Sequence, residues 1–123
     1  MYKLTIKTHF DAAHCIKDYQ GKCSREHGHR WNVDVILARE ELDNLNMVID
    51  FGKVKRLLNS ILDMHLDHYQ LNDSLGEPNL TAEYLAKWLY SQIKGKLPNT
   101  GLTSVTIWES PDCGVTYEEI QNK

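Results

Sequence analysis

The first forty residues alternate between apolar and polar positions with the period of two that is typical of half-buried β-strands. Within residues 2–10, one parity carries Leu4, Ile6, Thr8 and Phe10. Within residues 27–39, one parity carries His27, His29, Trp31, Val33, Val35 and Leu37. The intervening loop, roughly residues 15–26, is too short for a helical crossover, so we expect the two strands to pair antiparallel.

The middle of the chain changes to a helical period. After a short extended piece predicted at 47–49, apolar residues at helical spacing predict a helix over 54–62, with Asp50 as its N-cap. A loop at 72–79 precedes a second helix, for which Asn79 is the predicted cap and Glu83 an acidic residue of the first turn. Gly95, Pro98 and Gly101 are expected to end this helix.

Two final strands are predicted at 103–109 and 115–118, joined by a turn at 110–114. The element order therefore predicts an α+β fold, in which two helices cover one face of an antiparallel sheet. Such a small sheet has two free edges and one uncovered face. Closure of these edges into a β-barrel between subunits would remove both problems, so we expect a homo-oligomer.

Composition excludes several classes of protein. The 123 residues fit one domain, with 41% hydrophobic and 25% charged residues and a net charge of −3. Neither a nucleic-acid-binding nor a membrane surface is indicated, and no apolar run reaches the roughly 18–20 residues of a membrane span. The N-terminal residues resemble a strand more than a signal peptide, so we expect a cytoplasmic location. Three cysteines are an odd number, which favours free thiols.

The tripeptide His27-Gly28-His29 is the strongest candidate for metal binding. Residues i and i+2 of a strand point to the same side, about 6.6–7 Å apart, so two imidazoles can converge on one ion. His14, just past the end of the paired strand, is the preferred third ligand of a zinc site that keeps one position open. His9 is a rival third ligand, although its parity turns it to solvent. Cys15 is another rival, but as a fourth protein ligand it would close the site.

Further candidates for chemistry lie near this histidine set. Cys23 precedes His27 in a basic loop, where a nearby cation would favour the thiolate, a form suited to a general base or nucleophile. Asp67 and His68 are adjacent and can form a proton relay, although a surface Asp-His pair is the commoner outcome. Glu109 shares the parity of the apolar positions in the strand before it, so its carboxylate needs a partner, such as paired N–H donors on a ligand.

In this order the motifs resemble those of the 6-pyruvoyl-tetrahydropterin synthase / 6-carboxy-tetrahydropterin synthase family. The resemblance rests on His14, Cys23-x-x-x-His27-Gly-His29, Leu66-Asp67-His68 and Trp108-Glu109, supported by the stretches 10–14, 49–51 and 79–83. It covers about residues 4–117, so one such domain over 1–123 is expected. Leu80 departs from the family, which often has Pro there.

The resemblance implies a tunnelling fold (T-fold), whose subunits join edge to edge into a barrel, in a hexamer built as a dimer of trimers with active sites between subunits. It also implies zinc on the three histidines, with Cys23 as the proton-abstracting thiol. Asp67 and His68 would form the relay, and Glu109 would anchor the pterin. The substrate would be 7,8-dihydroneopterin triphosphate.

Two enzymatic branches and one non-catalytic alternative follow from this resemblance. The short spacing between Cys23 and His27 is similar to that of the carboxy-forming branch, which releases acetaldehyde and feeds the biosynthesis of queuosine and other 7-deazapurines. The alternative is the pyruvoyl-forming synthase, which eliminates triphosphate. A third hypothesis is a non-catalytic metal- or pterin-binding protein, which would need neither Cys23 nor the Asp67–His68 pair.

Overall fold

The computed structural model describes residues 1–119, and a four-stranded antiparallel sheet forms its framework. The strands follow one another across the sheet in chain order: β1 (Tyr2–His14), β2 (His27–Arg39), β3 (Leu102–Trp108) and β4 (Gly114–Glu118). Strands β1 and β4 therefore form the two edges, and the sheet is not closed. The predicted α+β arrangement of an antiparallel sheet with helices is confirmed.

Three helices lie between β2 and β3: α1 (Phe51–His65), α2 (Leu71–Leu75) and α3 (Ala82–Lys96). Asp50 caps α1 as predicted, because its side chain accepts a hydrogen bond from the Gly52 amide at 3.0 Å. The prediction of Asn79 as the cap of the second long helix was wrong. Thr81 caps α3 through the Tyr84 amide at 3.0 Å. Within residues 1–119, no helix has both the length and the apolar character to cross a membrane.

One core lies between the sheet and the helices. The alternating positions of β1 and β2 that the pattern marked as apolar are buried: Leu4, Ile6, Phe10, Trp31, Val33, Val35 and Leu37. The same cluster includes Val54 and Leu58 of α1 and Leu85 and Leu89 of α3. Burial of this apolar surface is the main stabilising contribution to such a fold.

The structure differs from the expected elements at three places. Residues 47–49 form no strand: 48 and 49 are bends, and the third extended piece is absent. The predicted loop at 72–79 contains α2, whose five residues are too few for a clear helical period. Strand β1 continues beyond residue 10 to His14, because residues 11–14 pair with residues 27–30 of β2 and residues 67–70 add hydrogen bonds along the outer edge.

Candidate active site

The three predicted metal-ligating histidines meet where β1 ends and β2 begins. In the sheet register His14 pairs with His27, and Ala12 pairs with His29. The ring centroids lie 4.5 Å apart for His14 and His27, 5.2 Å for His14 and His29, and 4.8 Å for His27 and His29. Pairing of β1 with β2 thus brings His14 next to His27 and His29.

Two main-chain carbonyls orient the imidazoles. The Nδ1 atom of His14 lies 2.6 Å from the Leu80 carbonyl oxygen, and Nδ1 of His27 lies 2.6 Å from that of Arg25. A carbonyl only accepts hydrogen bonds, so in each ring we assign a proton to Nδ1, which leaves Nε2 as the nitrogen directed at the site. This is the arrangement that presents a histidine to a metal, with the other ring nitrogen fixed by an acceptor.

Trp31 packs against the histidines from the core side. Its ring centroid lies 4.8 Å from that of His14 and 5.3 Å from that of His29. The indole N–H donates to the Ala12 carbonyl at 3.2 Å, so this buried ring is held in place. An apolar wall of this kind limits water on one side of the site and strengthens electrostatic interactions there.

Glu109 lies beside the histidines. Its strand parity predicted a side chain on the core side of the sheet, and the side chain lies there. Its Oε1 atom lies 3.0 Å from Nε2 of His29, 3.1 Å from Nε2 of His14 and 3.9 Å from Nε2 of His27. One ligand atom from each of these four residues lies within 4.8 Å of the other three. The sequence predicted that Glu109 binds the pterin and not the metal. The structure places its carboxylate in the same group of possible metal ligands as the three histidines.

The donor set fits a metal ion. Nε2 of His29 is buried without a hydrogen-bond partner among the described residues, because its close contact with Glu109 lacks hydrogen-bond alignment. A buried nitrogen of this kind is costly unless a ligand satisfies it. Burial lowers the pKa of His29, against the opposing influence of Glu109, and so favours the neutral imidazole that coordinates metals. Three nitrogens and one carboxylate oxygen suit zinc.

Cys23 lies in a short 3₁₀ helix, Lys22–Ser24, within the loop that joins β1 to β2. Its carbonyl accepts a hydrogen bond from the Ile16 amide at 2.7 Å, which ties this loop to the chain two residues beyond His14. The thiol is half-buried and unpaired, whereas Cys15 is buried and Cys113 is exposed. Cys23 is therefore partly accessible on the same end of the sheet as the histidines.

Asp67 and His68 form the predicted pair, with 2.9 Å between Asp67 Oδ2 and His68 Nδ1. They lie along the outer edge of β1: Asp67 Oδ1 accepts from the Asp11 amide at 3.0 Å, and the His68 amide donates to the Asp11 carbonyl at 2.7 Å. The bond from the Asp11 amide holds the pKa of the Asp67 carboxyl below its usual value, and the contact with His68 adds to this.

The Asp67–His68 pair is separate from the histidine cluster of its own chain. Its charged neighbours are Asp11 and Arg30, which form a two-point ion pair at 3.0 and 3.2 Å. Asp11 has the opposite strand parity to the buried Ala12 and therefore points away from the core side. The single chain thus places the candidate relay and the candidate metal centre on different sides of the β1 edge.

Comparison with known proteins identifies the family of the chain. A family model described as 6-pyruvoyl tetrahydropterin synthase matches residues 3–120. The 6-carboxy-5,6,7,8-tetrahydropterin synthase of Synechocystis sp. is 37% identical, with 88% of this chain and 86% of the relative covered. The protein of the same name from Rickettsia conorii is 35% identical, with 94% and 99% covered. The chain belongs to the 6-pyruvoyl tetrahydropterin synthase family.

Membership in the 6-pyruvoyl tetrahydropterin synthase family makes the chain a lyase-type enzyme. The fold agrees with solved members of the family. The structure of 6-pyruvoyl tetrahydropterin synthase from Caenorhabditis elegans superposes with a TM-score of 0.87 at 27% identity, covering 97% of this chain and 96% of that one.

Sequence reasoning missed the partners that hold the site in place. The carbonyls of Leu80 and Arg25 leave no signal in a sequence, because every residue has a main-chain carbonyl. The Asp11–Arg30 pair joins opposite charges at directly paired positions of β1 and β2, but Asp11 lies just beyond the strand predicted over 2–10. Asn72 was assigned to a loop and overlooked, although it is buried.

Proposed function

We propose that the chain is a zinc-dependent 6-carboxy-5,6,7,8-tetrahydropterin synthase. It would convert 7,8-dihydroneopterin triphosphate and one water molecule to 6-carboxy-5,6,7,8-tetrahydropterin, acetaldehyde and triphosphate, for the biosynthesis of queuosine and other 7-deazapurines. The observation that carries this proposal is the convergence of three histidines and Glu109 on one point. The choice of branch is supported by the short Cys23–His27 spacing and by the names of the relatives from Synechocystis and Rickettsia.

In this proposal His14, His27 and His29 hold the zinc ion. When bound, zinc supplies Lewis acidity, which polarises substrate oxygens and favours loss of a proton from the adjacent carbon. The carbonyls of Leu80 and Arg25 keep the two Nδ1 protons in place, so that both Nε2 atoms stay available. Three protein ligands leave a position open for substrate, as catalytic zinc sites require.

Glu109 anchors the pterin ring. Its carboxylate offers two acceptor oxygens, which match the ring N–H and the 2-amino group of a pterin, and charge-assisted hydrogen bonds of this kind are about twice as strong as neutral ones. Its side chain is about one-third exposed and can therefore meet a ligand entering from solvent. In this proposal, Glu109 contacts His14 and His29 in the substrate-free protein and binds the pterin when substrate enters.

Cys23 removes the proton from the substrate carbon, and Asp67 with His68 exchanges a proton on the opposite side. Because Asp67 and His68 lie on the outer edge of β1, we propose that they serve the site of a neighbouring subunit. The outer edge of β4, and that of β1 before Asp11, support edge-to-edge association into a closed barrel. The expected assembly is a hexamer formed by two trimers.

Product analysis tests the proposed activity. Purified zinc-loaded protein is incubated with 7,8-dihydroneopterin triphosphate, and acetaldehyde, triphosphate and the pterin products are measured. We expect acetaldehyde and 6-carboxy-5,6,7,8-tetrahydropterin, and we expect Cys23→Ala to form both about 100–10,000-fold more slowly. A pyruvoyl pterin as the sole product would assign the other branch, and zinc-loaded protein that binds pterin without turnover would indicate a non-catalytic binder.

A further inference from the structure

Asn72 is a buried amide at the start of α2, and it forms hydrogen bonds to three separate stretches of chain. Its Oδ1 accepts from the Cys15 amide at 2.9 Å and from Gln70 Nε2 at 3.0 Å. Its Nδ2 lies 2.8 Å from the Cys15 carbonyl and 2.9 Å from the carbonyls of Glu77 and Pro78. A side chain with this many partners is fixed in one orientation.

Two of the stretches that Asn72 connects hold the metal-ligating candidate His14. Cys15, which follows His14 directly, is bound through both its amide and its carbonyl. The stretch 77–78 leads to Leu80, whose carbonyl accepts from His14 Nδ1 and whose amide donates to the Cys15 carbonyl at 3.3 Å. Asn72 therefore fixes both the backbone that carries the His14 ring and the acceptor that orients it.

We propose that Asn72 is a positioning residue of the metal centre, acting through His14. The inference rests on the metal centre of the proposed function. It adds to that centre a residue that holds the groups in contact with His14. His27 and His29 lie two residues apart on β2, and neither depends on Asn72, because β2 fixes their backbone and the Arg25 carbonyl orients the His27 ring. His14 is the last residue of its strand, beyond which the chain turns away, so its direction depends on contacts outside the sheet.

Loss of the Asn72 amide is expected to weaken metal binding. Removal of an outer partner of a metal ligand typically lowers metal affinity by about 10–100-fold. The effect should require His14, since neither His27 nor His29 is bound to the stretches that Asn72 connects. This dependence separates a positioning role from a general contribution to folding.

The test compares metal affinity in a double-mutant cycle. Zinc dissociation constants are measured by chelator competition for wild type, Asn72→Ala, His14→Ala and the double variant, and the absorption spectrum of the cobalt(II)-loaded protein reports ligand geometry. We expect Asn72→Ala to weaken zinc binding by about 10–100-fold and to alter the cobalt spectrum. In the His14→Ala background, Asn72→Ala should cause no further loss.

Tyr90→Phe is the matched control, because it removes a different buried side-chain-to-carbonyl hydrogen bond, 3.3 Å to Leu102. Leu102 pairs with Leu37, near the far end of β2 from His27, so this variant should keep the wild-type zinc affinity and spectrum. Asn72→Ser, which retains a short hydroxyl, replaces Asn72→Ala if circular dichroism shows that the latter is unfolded.

The possible outcomes separate the proposed role of Asn72 from the proposed metal centre itself. Wild-type affinity and spectrum in a folded Asn72 variant would overturn the positioning role while leaving the metal centre intact. An equal loss in the His14→Ala background would also overturn it, since the effect would then not pass through His14. A wild-type protein that binds no zinc would overturn the metal centre and the role of Asn72 together.

Discussion

The Oε1 atom of Glu109 lies 3.1 Å from Nε2 of His14, although ninety-five positions separate the two residues in the chain. The contact closes the site from the β3 side and brings an anionic group to a point where three imidazoles meet. A carboxylate in this place can interact either with a cation at the cluster or with the donors of an incoming ring. The two interactions can be separated by experiment.

Glu109→Gln should lower pterin affinity by about one to two orders of magnitude. The amide keeps the shape of the side chain but turns one acceptor into a donor that faces a ligand donor, which costs about 1–3 kcal/mol, at about 1.4 kcal/mol per tenfold change. Titration calorimetry with a non-reactive pterin measures this change.

Zinc content is the second measurement on Glu109→Gln, and it should equal that of wild type, because three histidines suffice as ligands in the proposed site. Loss of zinc would instead make Glu109 a ligand. Wild-type pterin affinity would remove the anchoring role.

His29→Ala should nearly abolish zinc binding. The variant removes a buried nitrogen that has no hydrogen-bond partner among residues 1–119, and the loss should exceed the about 10–100-fold that follows removal of an outer partner. Metal analysis after dialysis measures it. His9→Ala is the control, since His9 lies on the opposite parity of β1 from the buried positions. Full zinc occupancy in His29→Ala would refute the ligand assignment.

Cys23→Ala should reduce turnover by about 100–10,000-fold, the range typical for loss of a general acid–base group. Zinc content and thermal stability should remain, because the Cys23 carbonyl, not its thiol, accepts the hydrogen bond from the Ile16 amide. Cys113→Ala, at an exposed thiol, is the matched control and should keep full activity. If both variants turn over at the wild-type rate, the catalytic thiol has been assigned wrongly.

The pH dependence of stability should include a contribution from Asp67. Its pKa is lowered from 3.8 in the folded protein, chiefly by the Asp11 amide. The ionised carboxylate therefore stabilises the fold at pH values above 3.8, and this stabilisation is lost as the pH falls through the lowered folded-state pKa. The effect should be small, since 31% of the side chain is exposed.

Carbon-detected NMR titration of the Asp67 carboxyl measures this pKa directly. Denaturant unfolding of wild type and Asp67→Asn, from strongly acid to neutral pH, gives the matching difference in stability, which should shrink towards acid pH. The side-chain amide introduced by Asp67→Asn still offers an oxygen to the Asp11 N–H, so backbone geometry is retained. A carboxyl that titrates at or above 3.8 in the folded protein contradicts the expectation.

The sequence was most informative where a single face of an element is buried. Strand β2 was predicted with its observed bounds, 27–39, because its alternation is long and is not interrupted. The parity of Glu109 correctly placed its side chain on the core side of the sheet. Each of these results follows from local periodicity, which a sequence displays directly.

Features that depend on contacts between distant segments could not be predicted from local periodicity. Residues 11–14 of β1 lie between residues 27–30 of β2 and hydrogen-bond partners in residues 67–70. Asn79 does not cap α3, because its side chain is hydrogen-bonded to Asp18. The position of the Asp67–His68 pair along the edge of β1 likewise depends on tertiary contacts. Such pairings have no periodic signature in the chain.

The pairing of His14 with His27 has a consequence for how this site can change over time. The two residues face each other across the base of the loop that carries Cys23, so the loop begins and ends at the proposed metal ligands. Insertions or deletions in the part of the loop before Arg25, whose carbonyl orients His27, would leave the strand register and the three imidazoles in place. In the proposed enzyme, a change of loop length would therefore move the Cys23 thiol relative to the histidine cluster, which allows one scaffold to form different products while its metal site stays the same.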